Sequence, residues 1–220
     1  MSKIIAIMLL LCCGMMLFGC ADDNGRRKAE QQKTIVVTDS VGRKVELPYP
    51  LERVAVCNVY NAELITAVGA IDKIVGVDNY IFKDQSGFKN RFNEAQVFGI
   101  SQNAMNYEKL AELAPQAVII TGEGTWRDAQ EMLDRFGIKV IVVNSYYTDQ
   151  FADNCRLVGR IFGREEQAEE LVRYFTDKLA YIQSQLKDVP RKSLYFEYRT
   201  LGKTAVPGDY FYKMVEYSGA

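Results

Sequence analysis

Histidine is absent from all 220 residues of the chain, and this absence restricts the chemistry that the chain can perform. Imidazole is the commonest general base and the commonest zinc ligand in proteins. Neither Ser-His nor Cys-His catalysis can therefore be assembled from this chain alone, and binding of free zinc or manganese is disfavoured. We predict no catalytic residue, no metal-ligating residue and no cofactor.

Asparagine and aromatic side chains that follow apolar, strand-like runs are the remaining candidates for chemistry. They combine hydrogen bonding with flat apolar surface, which suits noncovalent capture of a large ligand of mixed polarity. The loops that carry them are residues 58–61, 78–80, 101–103, 122–126 and 144–147. We predict that six of their side chains converge on one cleft: Asn58, Tyr60, Tyr80, Asn103, Trp126 and Tyr146. For each tyrosine, a half-buried ring with its hydroxyl in water is the alternative, and Asn61 is interpreted as a helix cap.

Alternating strands and helices would position these loops. Apolar runs begin near Val54, Ile74, Gln96, Val118 and Val140. Amphipathic segments with capping residues lie between most of these runs, at 61–69, 106–115 and 126–137. Strand, helix and strand at this spacing predict an α/β fold, in which a Rossmann-like parallel sheet is covered on both faces. Loops at the carboxyl ends of such strands meet at one edge of the sheet.

The flanking segments complete the predicted architecture. Residues 34–38 and 43–47 predict a hairpin. Residues 149–162 and 164–187 predict two helices separated by Gly163, and the second carries an apolar stripe of Ala168, Leu171, Val172, Phe175, Leu179 and Ile182. A strand at 193–198 and a short helix at 210–217 would follow. We predict an N-terminal lobe at 34–163, an interlobe helix at 164–188, and an incomplete C-terminal α/β lobe at 191–220.

Residues 1–20 differ in kind from the rest of the chain. Lys3 precedes an apolar run that ends at Phe18. A helix of that length rises only about 22 Å, which is short for a hydrocarbon core of about 30 Å, so a signal peptide is favoured. The segment Leu17-Phe18-Gly19-Cys20 resembles a bacterial lipobox, which implies lipidation at Cys20 and a flexible tether at 21–33. An uncleaved anchor is the alternative, and either places the body outside the cytoplasm.

Two cysteines, Cys57 and Cys155, would remain in the mature body. A disulfide between them is possible in an oxidising compartment. Two cysteines in different elements more often act as small buried hydrophobes, and we predict that role here.

From Thr34 onward, the order and spacing of several segments resemble the periplasmic binding proteins of ABC importers for iron-siderophore complexes, haem and cobalamin. The segments that carry the resemblance are TDSVGRKVELP, LERVAV, NAELITAVGAIDKIVGV, NYEKLAELAPQAVII, FGIKVIVVN and GDYFYKMVEYSGA. The resemblance implies two lobes joined by one long rigid helix. It also implies a monomeric, lipid-anchored, extracytoplasmic protein that captures a ferric siderophore or a corrinoid or haem-like complex for an ABC permease in the cytoplasmic membrane. Molybdate-like oxyanions are a fourth ligand class.

The resemblance also implies roles for three more positions. Family members present an acidic side chain to the permease at the start of the helix after the fourth core strand. Arg127 stands at the closest position here, so Asp128 and Glu131 are the docking candidates. Arg199, from the second lobe, is a candidate partner for an anionic ligand.

Charge and motif spacing weigh against two other classes of protein. The 27 basic and 28 acidic residues leave a net charge of -1, so nucleic-acid binding has no electrostatic basis. Gly122-x-Gly124 follows a strand as a dinucleotide fingerprint would, but Arg127 stands where the third glycine is needed. An extracytoplasmic enzyme with a Rossmann-like lobe is the alternative function, and saturable binding without turnover would distinguish the two.

Overall fold

The computed structural model describes residues 33–198 and 200–219, and eight strands lie within them. In chain order, the strands are Thr34–Thr38 (β1), Lys44–Pro48 (β2), Val54–Val56 (β3), Ile74–Val77 (β4), Gly99–Ser101 (β5), Ala104–Met105 (β6), Ala117–Ile120 (β7) and Lys139–Val142 (β8). Four of them form one parallel sheet in the order β4-β3-β7-β8. The other four form two antiparallel pairs, β1 with β2 and β5 with β6.

Seven α-helices accompany the strands within the same residues. They are Val59–Ala67 (α1), Asn79–Lys83 (α2), Tyr107–Glu112 (α3), Trp126–Asp134 (α4), Phe151–Phe162 (α5), Glu165–Leu186 (α6) and Tyr210–Tyr217 (α7). Single turns of 3-10 helix lie at Ile71–Lys73, Glu94–Gln96 and Thr148–Gln150. The alternation of parallel strands with helices confirms the predicted α/β, Rossmann-like architecture. No helix in these described ranges is both long and apolar enough to cross a bilayer.

The parallel sheet is covered on both faces, as its continuous apolar strands predict. Successive residues of a strand point to opposite faces, so Val54 and Val56 pack into one core while Ala55 packs into the other. Helices α1, α5 and α6 cover the first face, and α3 and α4 cover the second. Cys57 and Cys155 are free, buried and on opposite faces. They are small buried hydrophobes, as predicted, and no disulfide joins them.

The β1-β2 hairpin is the predicted one, and its turn closes the outer edge of β8. The Ser40 amide donates to the Val142 carbonyl at 3.0 Å, and the Val142 amide donates to Asp39 Oδ2 at 3.2 Å. Asp39 is 5% exposed, and its carboxylate also pairs with the Arg43 guanidinium at 2.7 Å. A buried charge persists only when it is paired and hydrogen-bonded. The turn is therefore fixed to the sheet.

Helix α1 begins earlier than predicted, because Asn58 rather than Asn61 caps it. Asn58 Oδ1 accepts a hydrogen bond from the Tyr60 amide at 2.9 Å. Asn61 lies inside the helix, 1% exposed, where it donates to the Cys57 carbonyl and accepts from the Ser145 hydroxyl at 2.6 Å. Asn58 has a φ of 77°, which asparagine tolerates better than most residues. The predicted cap at Asn61 is wrong.

The apolar run beginning at Gln96 does not form a fifth strand of the parallel sheet. A capping box joins Asn93 to Gln96 and starts a 3-10 turn, and Val97 then makes a single parallel bridge to Val77. At Gly99 the chain turns into the β5-β6 pair. A side chain at Gly99 would come within 2.5 Å of the Ala104 carbonyl oxygen, so the approach of the two strands requires glycine.

The long helix α6 follows a left-handed Gly163, as predicted. Its first half packs on the lobe, where Ala168 and Val172 are buried and Phe175 lies 4.3 Å from Phe151, ring to ring. Further along the predicted stripe, Ile182 is 45% exposed. The apolar stripe therefore continues beyond the surface that covers it.

The segment 193–198 is not the strand we predicted. Its one ladder contact is a bridge between Glu197 and Thr204, and Tyr195 is 70% exposed. A strand needs a neighbour along its length, and the described residues supply only this bridge. The predicted short helix is confirmed as α7, with Asp209 capping it through the Tyr212 amide at 2.7 Å.

Candidate functional site

A cleft of about 710 Å³ lies where the loops after β3, β4, β5 and β7 meet. This is the position expected for a ligand site, because carboxyl ends of parallel strands bring loops and helix starts to one edge. Four of the predicted ligand residues line it, namely Asn58, Tyr60, Tyr80 and Asn103. The remaining lining residues are Val59, Asp78, Ser101, Gln102, Thr121, Glu123 and Gly124.

The two tyrosines of the cleft present exposed rings. Tyr60 is 50% exposed in the first turn of α1, and Tyr80 is 63% exposed in α2. The helix of Tyr80 begins at Asp78, whose Oδ1 accepts from the Ile81 amide at 3.0 Å. Asp78 Oδ2 accepts from the Asn58 amide at 3.0 Å. One buried carboxylate thus fixes the starts of both helices that carry the rings.

Asp78 is 2% exposed, and burial raises the pKa of its carboxyl above the ordinary value. The backbone amides of Asn58, Ile81 and Tyr80 act in the opposite direction, because hydrogen bonds to the ionised form stabilise it.

Hydrogen bonds join the turn at 101–103 to the loop at 121–125. Gln102 Oε1 accepts from the Thr121 amide at 3.0 Å and from its hydroxyl at 2.8 Å, while Gln102 Nε2 donates to the Glu123 carbonyl. The Thr125 hydroxyl contacts Asn103 Oδ1 at 3.1 Å. Gly124 adopts a φ of 81°, a left-handed conformation that favours glycine. These contacts place Asn103 and Glu123 on the same wall of the cleft.

Tyr146 lies beside the cleft rather than in its lining. Its ring centroid is 6.3 Å from that of Tyr60 and 4.7 Å from that of Tyr147. Its hydroxyl is buried and makes no well-formed hydrogen bond, although Glu123 and Tyr147 lie close enough to influence its ionisation. Burial first, and the Glu123 carboxylate second, raise the pKa of Tyr146 well above its usual value.

Tyr210, the first residue of α7, contacts this aromatic group from the far end of the chain. Its ring meets that of Tyr146 edge-on at 5.4 Å and that of Tyr147 at 6.3 Å. Burial raises the pKa of Tyr210 to about 12, and Tyr198, Tyr60 and Glu123 add to the effect. Residues distant in sequence thus meet beside the cleft.

Trp126, like Tyr146, lies outside the lining of the cleft. Two guanidinium groups lie over its indole, that of Arg43 at 4.3 Å and that of Arg127 at 4.1 Å from the ring centroid. The ring packs against the core beneath α4 and borders a separate surface pocket. Trp126 therefore does not converge with the four predicted residues that line the cleft. Helix α4 begins at Trp126 and turns the ring toward the β1-β2 hairpin instead.

The remaining predicted positions divide into two groups. Asp128 and Glu131 are exposed on α4, where a docking partner could reach them. Cys20 and Arg199 lie outside the described residues. No grouping of three or more acidic or cysteine side chains that could hold a metal ion is found within 33–198 and 200–219.

Five polar residues of the lining are not among the predicted site residues: Asp78, Ser101, Gln102, Thr121 and Glu123. A signal for Glu123 was present, since an acidic residue between Gly122 and Gly124 is held in a constrained loop at the carboxyl edge of the sheet.

Comparisons with known proteins place this geometry in context. The family profile described as periplasmic binding protein matches residues 54–213. Similar solved structures include a periplasmic solute binding protein of Veillonella parvula, with 27% identity over 73% of this chain and a TM-score of 0.61. The molybdate periplasmic binding protein of Haemophilus influenzae has 23% identity over 84% of this chain and a TM-score of 0.71. Staphylococcus aureus SirA, solved with staphyloferrin B, has 20% identity over 70% and a TM-score of 0.58.

The aligned part of the chain covers 50%, 64% and 51% of those three proteins, so it spans between half and two thirds of their length. The profile match extends from the first strand of the parallel sheet into the last described helix. On this evidence the chain belongs to the periplasmic binding protein family.

Proposed function

We propose that this chain is the extracytoplasmic substrate-binding component of an ABC importer. It captures a small-molecule metal complex, a ferric siderophore or a corrinoid or haem-like complex, and delivers it without catalysis to a permease in the cytoplasmic membrane. The division into a first lobe at 34–163, a linking helix at 164–188 and a second lobe from 191 onward is part of this proposal.

The observation that carries the proposal is the lining of the 710 Å³ cleft. Exposed rings at Tyr60 and Tyr80 offer flat apolar surface, while the side-chain amides of Asn58 and Asn103 offer hydrogen-bonding groups. A large complex with an apolar periphery and peripheral carbonyl or amide groups needs both kinds of contact. The volume lies within the range usual for small-molecule sites, about 300 to 1,000 Å³.

Membrane attachment and docking complete the proposed role. Lipid at Cys20 would hold the body near the permease through the tether at 21–33. Asp128 and Glu131, exposed on α4, are the proposed contacts with basic residues of the permease. The protein acts as a monomer in this scheme.

The test is calorimetric titration of the protein with ferric siderophores, cobalamin and haem, using a matched pair of tyrosine variants. Tyr80 in the cleft is 63% exposed, and Tyr181 on α6, which does not line the cleft, is 62% exposed. Because both rings are equally open to solvent, removing either should change folding stability little. We expect Tyr80→Ala to weaken binding by about 5- to 30-fold, corresponding to about 1 to 2 kcal/mol of lost ring contact. Tyr181→Ala should bind as the parent protein does.

Saturable binding with no change in the ligand is the expected behaviour. Chemical turnover of the bound complex would contradict the proposed function. Equal affinity in the Tyr80→Ala and parent proteins would contradict the proposed site.

A further inference from the structure

The charged side chains in the lining of the cleft are all of one sign. Asp78 and Glu123 contribute carboxylates, and the other polar side chains are neutral amides, hydroxyls and phenols. Among the described residues that line the cleft, there is no lysine or arginine.

The two carboxylates occupy different depths. Asp78 is 2% exposed, and each of its oxygens accepts a backbone amide at 3.0 Å. Those two amides offset part of its charge but supply no countercharge. Glu123 is exposed, in a loop whose backbone is held by Gln102 and whose conformation depends on Gly124. Glu123 is therefore the carboxylate that a bound ligand can meet directly.

Glu123 lies close to the aromatic group beside the cleft. Burial is the main cause that raises the pKa of Tyr146 and of Tyr210, and the negative charge of Glu123 adds to it in both. Those rings keep their protons at neutral pH and provide electron-rich faces, which attract cations and not anions.

Four described basic side chains on neighbouring elements lie outside the lining of this cleft. Arg43 and Arg127 lie over the Trp126 ring, and Arg43 is also paired with Asp39. Lys83 and Lys109 border a different cleft, beside β5 and β6. An anionic ligand in the 710 Å³ cleft would thus face two negative charges without a compensating cation from the described lining.

We infer that the cleft selects neutral or cationic metal complexes over anionic ones, and that Glu123 is the residue that determines this selectivity. The inference rests on the proposed function. It favours complexes such as ferric trihydroxamates, whose net charge is zero or positive, and corrinoids with amide side chains. It disfavours tris-catecholate and polycarboxylate complexes, and haem with its two propionates.

The experiment compares affinities across a panel ordered by charge. The panel contains ferrioxamine B, which is cationic through a free amine, its neutral N-acetyl derivative, neutral cyanocobalamin, anionic ferric enterobactin and haemin. We expect the tightest complex to be neutral or cationic. Where a hydroxamate binds, we expect the amine-bearing form to bind about threefold to tenfold tighter than the acetylated form at low salt, and the difference to shrink as salt is added.

Two glutamate variants separate the role of Glu123 from a general effect of net charge. We expect Glu123→Gln to improve the affinity for anionic complexes relative to neutral ones by about threefold to tenfold. Glu170→Gln, an exposed glutamate on α6 outside the cleft, changes the net charge equally and should leave that ratio unchanged. The thermal midpoint of both variants provides the check on folding.

Failure of the charge selectivity and failure of the proposed function give different results in this experiment. Tightest binding of an anionic complex, or an unchanged ratio in Glu123→Gln, overturns the charge selectivity and leaves the proposed function standing. If no complex in the panel binds saturably, the proposed function fails and the inference fails with it.

Discussion

Trp126 shows how one side chain can stabilise a junction between elements. The Arg43 and Arg127 guanidiniums both lie over its ring, and Arg43 in turn contacts Asp39 and the Val140 carbonyl, at 2.7 and 3.1 Å. These contacts join α4 to the β1-β2 hairpin and to β8. We therefore expect the indole to contribute to folding stability rather than to ligand binding.

Replacement of Trp126 by alanine should lower stability and leave ligand affinity nearly unchanged. Loss of the partly buried ring and of two cation–π contacts is expected to cost about 2 kcal/mol. For a chain of this size, that corresponds to a fall of about 4 to 8 °C in thermal midpoint, measured by circular dichroism. Tyr80→Ala is the opposite control, because it should lower affinity and leave the midpoint unchanged. An unaltered thermal midpoint combined with lost ligand binding would show that Trp126 contributes to the ligand site.

At the residue scale, the sequence predicted which loops form the site better than which way their side chains point. Asn58 and Asn103 could be placed because the ends of parallel strands converge. The direction of the Trp126 side chain depends on the residue at which α4 starts, and the composition of the loop does not determine that residue. The cap of α1 was predicted at Asn61 rather than at Asn58 for a similar reason. Either asparagine can cap a helix, and tertiary packing decides between them.

The junction of α5 and α6 illustrates how two elements are locked together. Gly159 approaches Ala168 so closely that a side chain there would come within 2.4 Å of the alanine Cβ. Across the same junction, Arg156 Nε donates to Glu169 Oε1 at 2.6 Å. This hydrogen bond lowers the pKa of Glu169 below its ordinary value.

The Arg156–Glu169 pair should make the α5–α6 junction sensitive to acid. Because the folded-state pKa of Glu169 is lowered, its stabilising contribution is present above the unfolded value of about 4.3 and is lost as pH falls through the folded value. Arg156→Gln should therefore be less stable than the parent protein near pH 7, and the gap should narrow at pH 3 to 4. Thermal midpoints across this pH range provide the measurement.

Lys109→Gln serves as the control for that pH series. Lys109 pairs with Glu112 within the single helix α3 at 3.2 Å, and the pair joins no separate elements. Its removal should change the midpoint little at any pH, because the pair lies within one helix and holds no second element in place. A gap for Arg156→Gln that stayed constant with pH would exclude the proposed linkage.

Elements were predictable where local signals agreed with the tertiary environment. Gly163 and the stripe beginning at Ala168 located α6, and the strand-like runs on either side of the turn at 39–42 located the hairpin. The runs near Gln96 and at 193–198 have strand-like composition, but strand formation requires a partner. Near Val97, the capping box before it and Gly99 after it leave only one bridge, between Val97 and Val77. The apolar pattern of this run predicts a strand all the same.

On the scale of the whole molecule, α6 would limit how far two lobes can move in the proposed two-lobe arrangement. Its 22 residues form one helix about 33 Å long with no internal proline or glycine. A continuous helix bends far less than a pair of extended linking strands. The contact of Tyr210 with Tyr146 also connects the end of the described chain to the rim of the cleft.

Ligand binding should accordingly produce only slight closure. We expect the radius of gyration, measured by small-angle X-ray scattering with saturating ligand, to fall by less than about 1 Å. Tyr80→Ala at the same ligand concentration provides the unliganded control. A decrease of about 2 Å or more in the parent protein alone would indicate hinge motion and contradict a rigid link.

Cys57 and Cys155 are placed so that their reactivity can report local opening of the core. Each thiol is fully buried, one on either face of the parallel sheet, and burial raises the pKa of both. A thiol reacts with alkylating reagents as the thiolate, so neither sulfur can be modified until its own face opens. The rate at which each becomes labelled therefore measures the opening of one half of the core independently of the other. A partial unfolding event that releases α4 while α5 stays packed would label Cys57 and spare Cys155.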